Sequence, residues 1–286
     1  MASNGKQLQK IVLKTLQEFN HEFVILHGED EFFRLEITSD LDLACSIHPK
    51  KFILALSEIL VKYEVILIFI SRYDFGAFST FWYSLQSKEY FQLDVISDKY
   101  AIGKLGIKTS ICIESAVVIN SLPVSSELNK TFYIVSKRFF KNIVFKDTEE
   151  FLIRKHKSTV TIQDIKKVAR ASGKIRIFKY FNYQPSLFDK AVACAYSFLR
   201  KFYRIILRPG LVISAGSKEG ALIGFETLVK CVPEVKIYPE NKLNMFKIWT
   251  LRSKNIVIII YPNTEREINI ETMIREMNFE SLKRLR

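Results

Sequence analysis

Two acids stand inside a run that is otherwise apolar, Ser39-Asp40-Leu41-Asp42-Leu43-Ala44-Cys45. Leu41, Leu43 and Cys45 demand a buried strand, whereas the carboxylates resist burial, so few folds accommodate the run. Residues two apart on a strand share a face. Asp40 and Asp42 therefore converge on one side while Leu41 and Leu43 turn into the core. Two adjacent negative charges exposed on one face need a compensating cation. Mg²⁺, which takes one or two carboxylates together with phosphate oxygens, meets that need. A third acid, Asp94, lies in the equally apolar run Phe91-Gln92-Leu93-Asp94-Val95. The three predict a site for Mg²⁺ (or Mn²⁺), where a metal pair activates an attacking hydroxyl and holds a triphosphate.

The surrounding pattern predicts a small α+β unit over residues 1–120. Leu8, Ile11, Val12, Leu16 and Phe19 recur at helical spacing, and Phe23 to Leu26 reads as a short strand ending at His27-Gly28. The acidic strand, Leu41 to Cys45, comes next. A helix from about Pro49 to Tyr63 follows, with proline in its first turn. Three strands succeed it, Glu64 to Ser71, Ala77 to Leu85 and Tyr90 to Ile96. His27 is expected to be a strand-end residue hydrogen-bonded locally, with nucleotide contact as the alternative.

On these residues the chain resembles the nucleotidyltransferase superfamily related to DNA polymerase beta. That family joins an apolar strand ending in Gly-Gly or Gly-Ser, a short spacer, Asp-x-Asp or Asp-x-Glu, and a later acid in a strand. Here Leu26-His27-Gly28-Glu29, Asp40-Leu41-Asp42 and Leu93-Asp94-Val95 match it. The resemblance implies a nucleotidyltransferase-like mixed sheet. It makes Asp40, Asp42 and Asp94 the catalytic and metal-binding triad, and Gly28, Glu29 and Ser39 nucleotide-binding positions. It implies transfer of a nucleoside monophosphate from an NTP to an unknown hydroxyl or phosphate acceptor. Glu29 departs from the pattern, since the family has Ser or Gly there and a carboxylate repels a triphosphate. The alternative is a non-catalytic protein of the same fold that binds nucleotide, nucleic acid or an assembly partner.

Charge marks the next region. From Lys137 to Arg208 there are 18 basic and five acidic residues, so the whole formal charge of +13 lies there. That asymmetry predicts attraction to polyanions, against the alternative of ordinary solvated helix faces. Residues 121–208 read as a basic helical region, with Pro185 its main breaker. Residues 209–286 read as a small α/β unit: strands near Leu211 to Ala215, Val235 to Tyr238 and Ile256 to Tyr261, and helices at Leu222 to Cys231 and from about Ile268 to Leu285. The turn Gly216 to Gly220 has the layout of a phosphate loop without its lysine and hydroxyl, since Ala221, Leu222 and Ile223 follow it. This order is similar to bacterial proteins of surface-polysaccharide gene clusters, in which a nucleotidyltransferase-like region and basic helices precede a thymidylate-kinase-like domain. Tyr133 to Lys141 resembles their basic helix, and Arg208-Pro209-Gly210 their domain entry. The C-terminal unit is expected to be a degenerate, truncated scaffold that does not bind ATP at Gly216 to Gly220.

Several classes are disfavoured. The four histidines form no zinc-hydrolase pair, no G-x-S-x-G elbow is present, and no G-x-G-x-x-G follows a strand. No apolar run approaches the roughly 18 to 20 residues a spanning helix needs, so no transmembrane segment is expected. The run MASNGKQLQK has no apolar segment before a small-residue cleavage site, so no export is expected, and the four scattered cysteines predict free thiols in a reducing cytoplasm.

Overall fold

The computed structural model describes residues 5–19, 22–35, 40–74, 76–97, 108–141, 147–156, 158–159, 163, 184, 186–207, 212–214, 235–253, 257–261 and 270–285. The fold is α+β. Helix α1 (Gly5–Gln17) buries Leu8, Val12 and Leu16 on one stripe. Strand β1 (Phe23–His27), the short helix α2 (Glu29–Phe33) and β2 (Leu41–Cys45) follow, then α3 (Pro49–Leu60) with a 3-10 turn at Val61–Tyr63. Pro49 suits the first turn of α3, and His48 Nδ1 accepts from Lys50 N at 3.2 Å to cap it. Strands β3 (Val65–Asp74), β4 (Ala77–Ser84) and β5 (Tyr90–Ile96) come next. After α4 (Thr109–Glu114) lie the hairpin β6 (Val117–Ile119) and β7 (Leu122–Val124), α5 (Glu127–Lys141) and α6 (Asp147–His156).

These strands form one mixed seven-stranded sheet in the order β3-β4-β5-β2-β1-β7-β6. β2 runs parallel to β5 and antiparallel to β1, so the acidic strand is central and hydrogen-bonded on both sides. One face carries the larger core, where Leu41, Leu43, Leu67, Trp82 and Val95 meet Phe52, Leu56 and the α1 stripe. The other face carries Val24, Leu26, Ala44 and Ile96, packed with Cys112 of α4 and Tyr133 of α5. Strand β7, which begins two residues past the expected limit at 120, pairs parallel with β1.

The later elements are α7 (Leu187–Leu207), β8 (Val212–Ser214), β9 (Val235–Pro239), α8 (Met245–Ser253), β10 (Val257–Tyr261) and α9 (Ile270–Leu285). β8, β10 and β9 form a parallel three-stranded sheet in that order. Helix α9 packs on β3, the edge strand of the large sheet: Asn278 Nδ2 donates to Leu67 O at 2.8 Å and Ser281 Oγ to Ile68 O at 3.0 Å. The turn Gly216 to Gly220, the run Ala221 to Ile223 and the expected helix Leu222 to Cys231 lie outside the described residues, as does most of the basic segment between 157 and 186. Among the described residues no helix is long and apolar enough to cross a membrane.

Candidate metal centre

The acids meet because the strands are in register. Across four strands His27 stands opposite Asp42, Asp42 opposite Asp94, and Asp94 opposite Ser79, a single polar rung perpendicular to β1, β2, β5 and β4. Asp42 and Asp94 share strand parity with Ala44 and Ile96, which places them on the face that α4 and α5 cover. Asp40 joins them from the residue before β2, and one carboxylate oxygen of each acid lies within 4.8 Å of the others. The predicted triad is therefore assembled. Two of its acids are covered: Asp42 is fully buried and Asp94 is 5% exposed. Of the two acids expected to face solvent, Asp42 is covered by helix α5, whereas Asp40 keeps 30% of its side chain exposed.

Gly28 fixes the approach of β2. Its φ of 90° lies in the left-handed region, and a Cβ there would stand 2.4 Å from the carbonyl oxygen of Asp40. Only glycine lets the end of β1 touch the residue that carries the first acid. Glu29 follows at the start of α2, 5% exposed, and its Oε1 is paired with Lys130 Nζ of α5. The carboxylate expected to repel a phosphate thus has its charge met from within the protein. Ser39 lies outside the described residues.

The acids call for a cation, and the chain itself supplies one that the spacing of the acids did not mark. Lys137 Nζ lies 2.5 Å from Asp42 Oδ2 and 3.3 Å from Asp40 Oδ2, with its side chain 10% exposed. Lys130, Tyr133, Ile134 and Lys137 fall on one stripe of α5, and Tyr133 and Ile134 are buried. The readable signal was two lysines seven residues apart bracketing the apolar side of an amphipathic helix. Lys137 instead reads as the first residue of the basic segment, and Lys130 only as part of the helical region 121–208.

The electrostatics follow from burial and like charge. Burial pushes Asp94 up to about 7, Asp42 and Asp40 add to the rise, and Lys137 and a hydrogen bond with Ser79 oppose it. Gln92 Nε2 donates to Asp94 Oδ1 at 3.2 Å and to Ser79 Oγ at 3.1 Å, which fixes that carboxyl on its strand. Burial alone would lower Lys137, but the three carboxylates outweigh it and hold the ammonium above its ordinary range. Burial, then Lys137, brings His27 down to about 4, so the imidazole is neutral at pH 7. Its expected local hydrogen bond is absent among the described residues: Nδ1 is buried without a partner, while Nε2 stands 3.8 Å from Glu149 Oε1.

The residues fit a divalent cation. Three hard oxygen donors converge on a volume the size of one ion, and one ammonium leaves them with residual negative charge. No protein-family model matches the chain, and no curated protein does. Among solved structures it is similar to JHP933 from Helicobacter pylori, with 14% identity, a TM-score of 0.34, and coverage of 71% of this chain and 95% of that one. A likeness at that level carries no argument about function.

Proposed function

We propose that the chain is a metal-dependent nucleotidyltransferase that moves a nucleoside monophosphate from an NTP to a hydroxyl or phosphate acceptor. The observation that carries the reading is the convergence of Asp40, Asp42 and Asp94 through the registered pair of parallel strands β2 and β5. Asp40 and Asp42 would hold Mg²⁺ or Mn²⁺, which supplies charge neutralisation at the transferring phosphate. Asp94 would complete the donor set and, ionised beside the metal, take the acceptor's proton. The acceptor oxygen bonds to the α-phosphorus as the bond to the bridging oxygen breaks, and pyrophosphate leaves. Gly28, which touches the Asp40 backbone, would stand with Glu29 and Ser39 as the nucleotide-binding positions, and a role in surface-polysaccharide synthesis follows from the resemblance drawn above.

The ion pairs of Lys137 favour a second reading, a non-catalytic protein of this fold, because an ammonium already answers the acids. In that reading the remaining basic residues up to Arg208 serve a polyanion. One experiment separates the two. Pyrophosphate release from each NTP is measured with Mn²⁺ or Mg²⁺ and a panel of sugar, phosphosugar and nucleotide acceptors, for the wild type and Asp42→Asn. Release that needs metal and disappears in Asp42→Asn supports transfer. Absence of both metal binding and nucleotide binding, with salt-sensitive heparin binding retained, supports the second reading.

A further inference from the structure

We propose that Lys137 is an exchangeable internal counter-ion: its ammonium holds the acid cluster together in the absence of metal and must withdraw from Asp42 and Asp40 when a divalent cation binds. The inference rests on the metal-site reading above and adds what that reading lacks, the protein's own competitor for the site. Nζ sits on the two acids at 2.5 and 3.3 Å, so cation and ammonium contend for the same oxygens. Two buried carboxylates beside a third, half-buried one are costly with no counter-charge, and a lysine reaching in from a separate helix is the means by which this sheet tolerates them.

Withdrawal is open to this side chain. A lysine is a compact charge on a flexible stem, and its neighbours on α5 are anchored independently of it. Lys130 is tied to Glu29, Tyr133 is packed in the sheet face, and Ile134 is buried. The ammonium can therefore leave the acids by rotation about its own bonds while α5 stays docked. Even while paired with the acids, Nζ lies 5.9 Å from the centroid of the Tyr133 ring on the same helix.

The test uses the metal alone. Mn²⁺ is titrated calorimetrically into wild type and Lys137→Met at pH 8, where Asp94 is ionised. The proposal expects the variant to bind about tenfold more tightly or better, because the opposing charge is gone. Equal or weaker binding by a folded variant overturns it. A second measurement needs no variant. Wild-type protein is pulsed with an amine-acetylating reagent with and without saturating Mn²⁺, and modification of Lys137 is read by peptide mass spectrometry against Lys130. Selective rise at Lys137 on metal addition supports exchange, and unchanged protection while calorimetry records binding refutes it. Failure of wild type and variant alike to bind Mn²⁺ removes the metal-site reading itself, and the exchange with it.

Discussion

At the scale of single residues, the acid cluster sets stability against function. Asp94 has a raised folded pKa, so its contribution to stability is present below about pH 4 and is lost as pH rises through about 7. His27 runs the other way: its folded pKa is lowered, so its contribution is present above about 6.5 and is lost as pH falls through about 4. Between pH 6.5 and 8 Asp94 dominates the pair, and urea unfolding should show metal-free stability falling over that range. Asp94→Asn should abolish the fall and gain about 1 kcal/mol or more at pH 8, since it removes a buried like charge while keeping an acceptor for Gln92. The same variant should lose any thermal stabilisation by Mn²⁺. In the wild type that stabilisation should grow from pH 6 to pH 8, because binding displaces the Asp94 proton. A flat metal response across those two pH values would contradict the assignment. Gly28→Ala combines a left-handed backbone with a clash against the Asp40 carbonyl, and should cost about 2 kcal/mol or more in urea unfolding.

Among the elements, β2 and β5 were legible to the residue. Alternating Leu and Asp over a short run leaves a strand as the conformation that buries one set and gathers the other. Helix α3 was legible from Pro49 and its apolar stripe. The hairpin of β6 and β7 was not: Asn120-Ser121, both at positive φ, is a weaker turn signal than Asn-Gly, and Pro123 argues against a strand until the pairing with β1 is known. The helices α2 and α4 are five and six residues long, too short to establish a period. The part of the site carried by α5 was hidden for a different reason. A lysine's partner 95 residues away leaves no local trace, whereas the same-face geometry of Asp40 and Asp42 is local. The edge contact of α9 makes its own prediction. Ser281→Ala should cost about 1 to 3 kcal/mol in urea unfolding, because Ile68 O is left buried without its donor. A cost no greater than that of an exposed serine would mean that the helix does not seal this edge.

For the molecule as a whole, the linear reading of three successive units meets a structure in which distant segments share one core. Lys130 and Lys137 come from the expected middle region, yet they neutralise acids of the expected first unit. Leu285 comes from the expected last unit, yet it packs with Leu8, Phe52 and Leu67. A chain ending at residue 208 should therefore melt at least about 10 °C lower than the full chain, since Ile274, Met277 and Leu285 each withdraw about 1.5 to 3 kcal/mol of burial. An unchanged melting temperature for that fragment would show the last unit folding apart from the sheet. The seal of α9 on β3 also has a consequence in time. About 200 residues separate the two elements, and a ribosome adds about 5 to 20 residues per second, so the nascent sheet waits about 10 to 40 seconds for its cover. Throughout that interval Leu67 and Ile68 present the carbonyls that α9 will later occupy, on a strand whose residues from Val65 to Ile70 are all apolar. Synthesis in a cell thus calls for a chaperone to shield that margin, and ribosomes stalled before residue 270 should yield products that cross-link to one through β3.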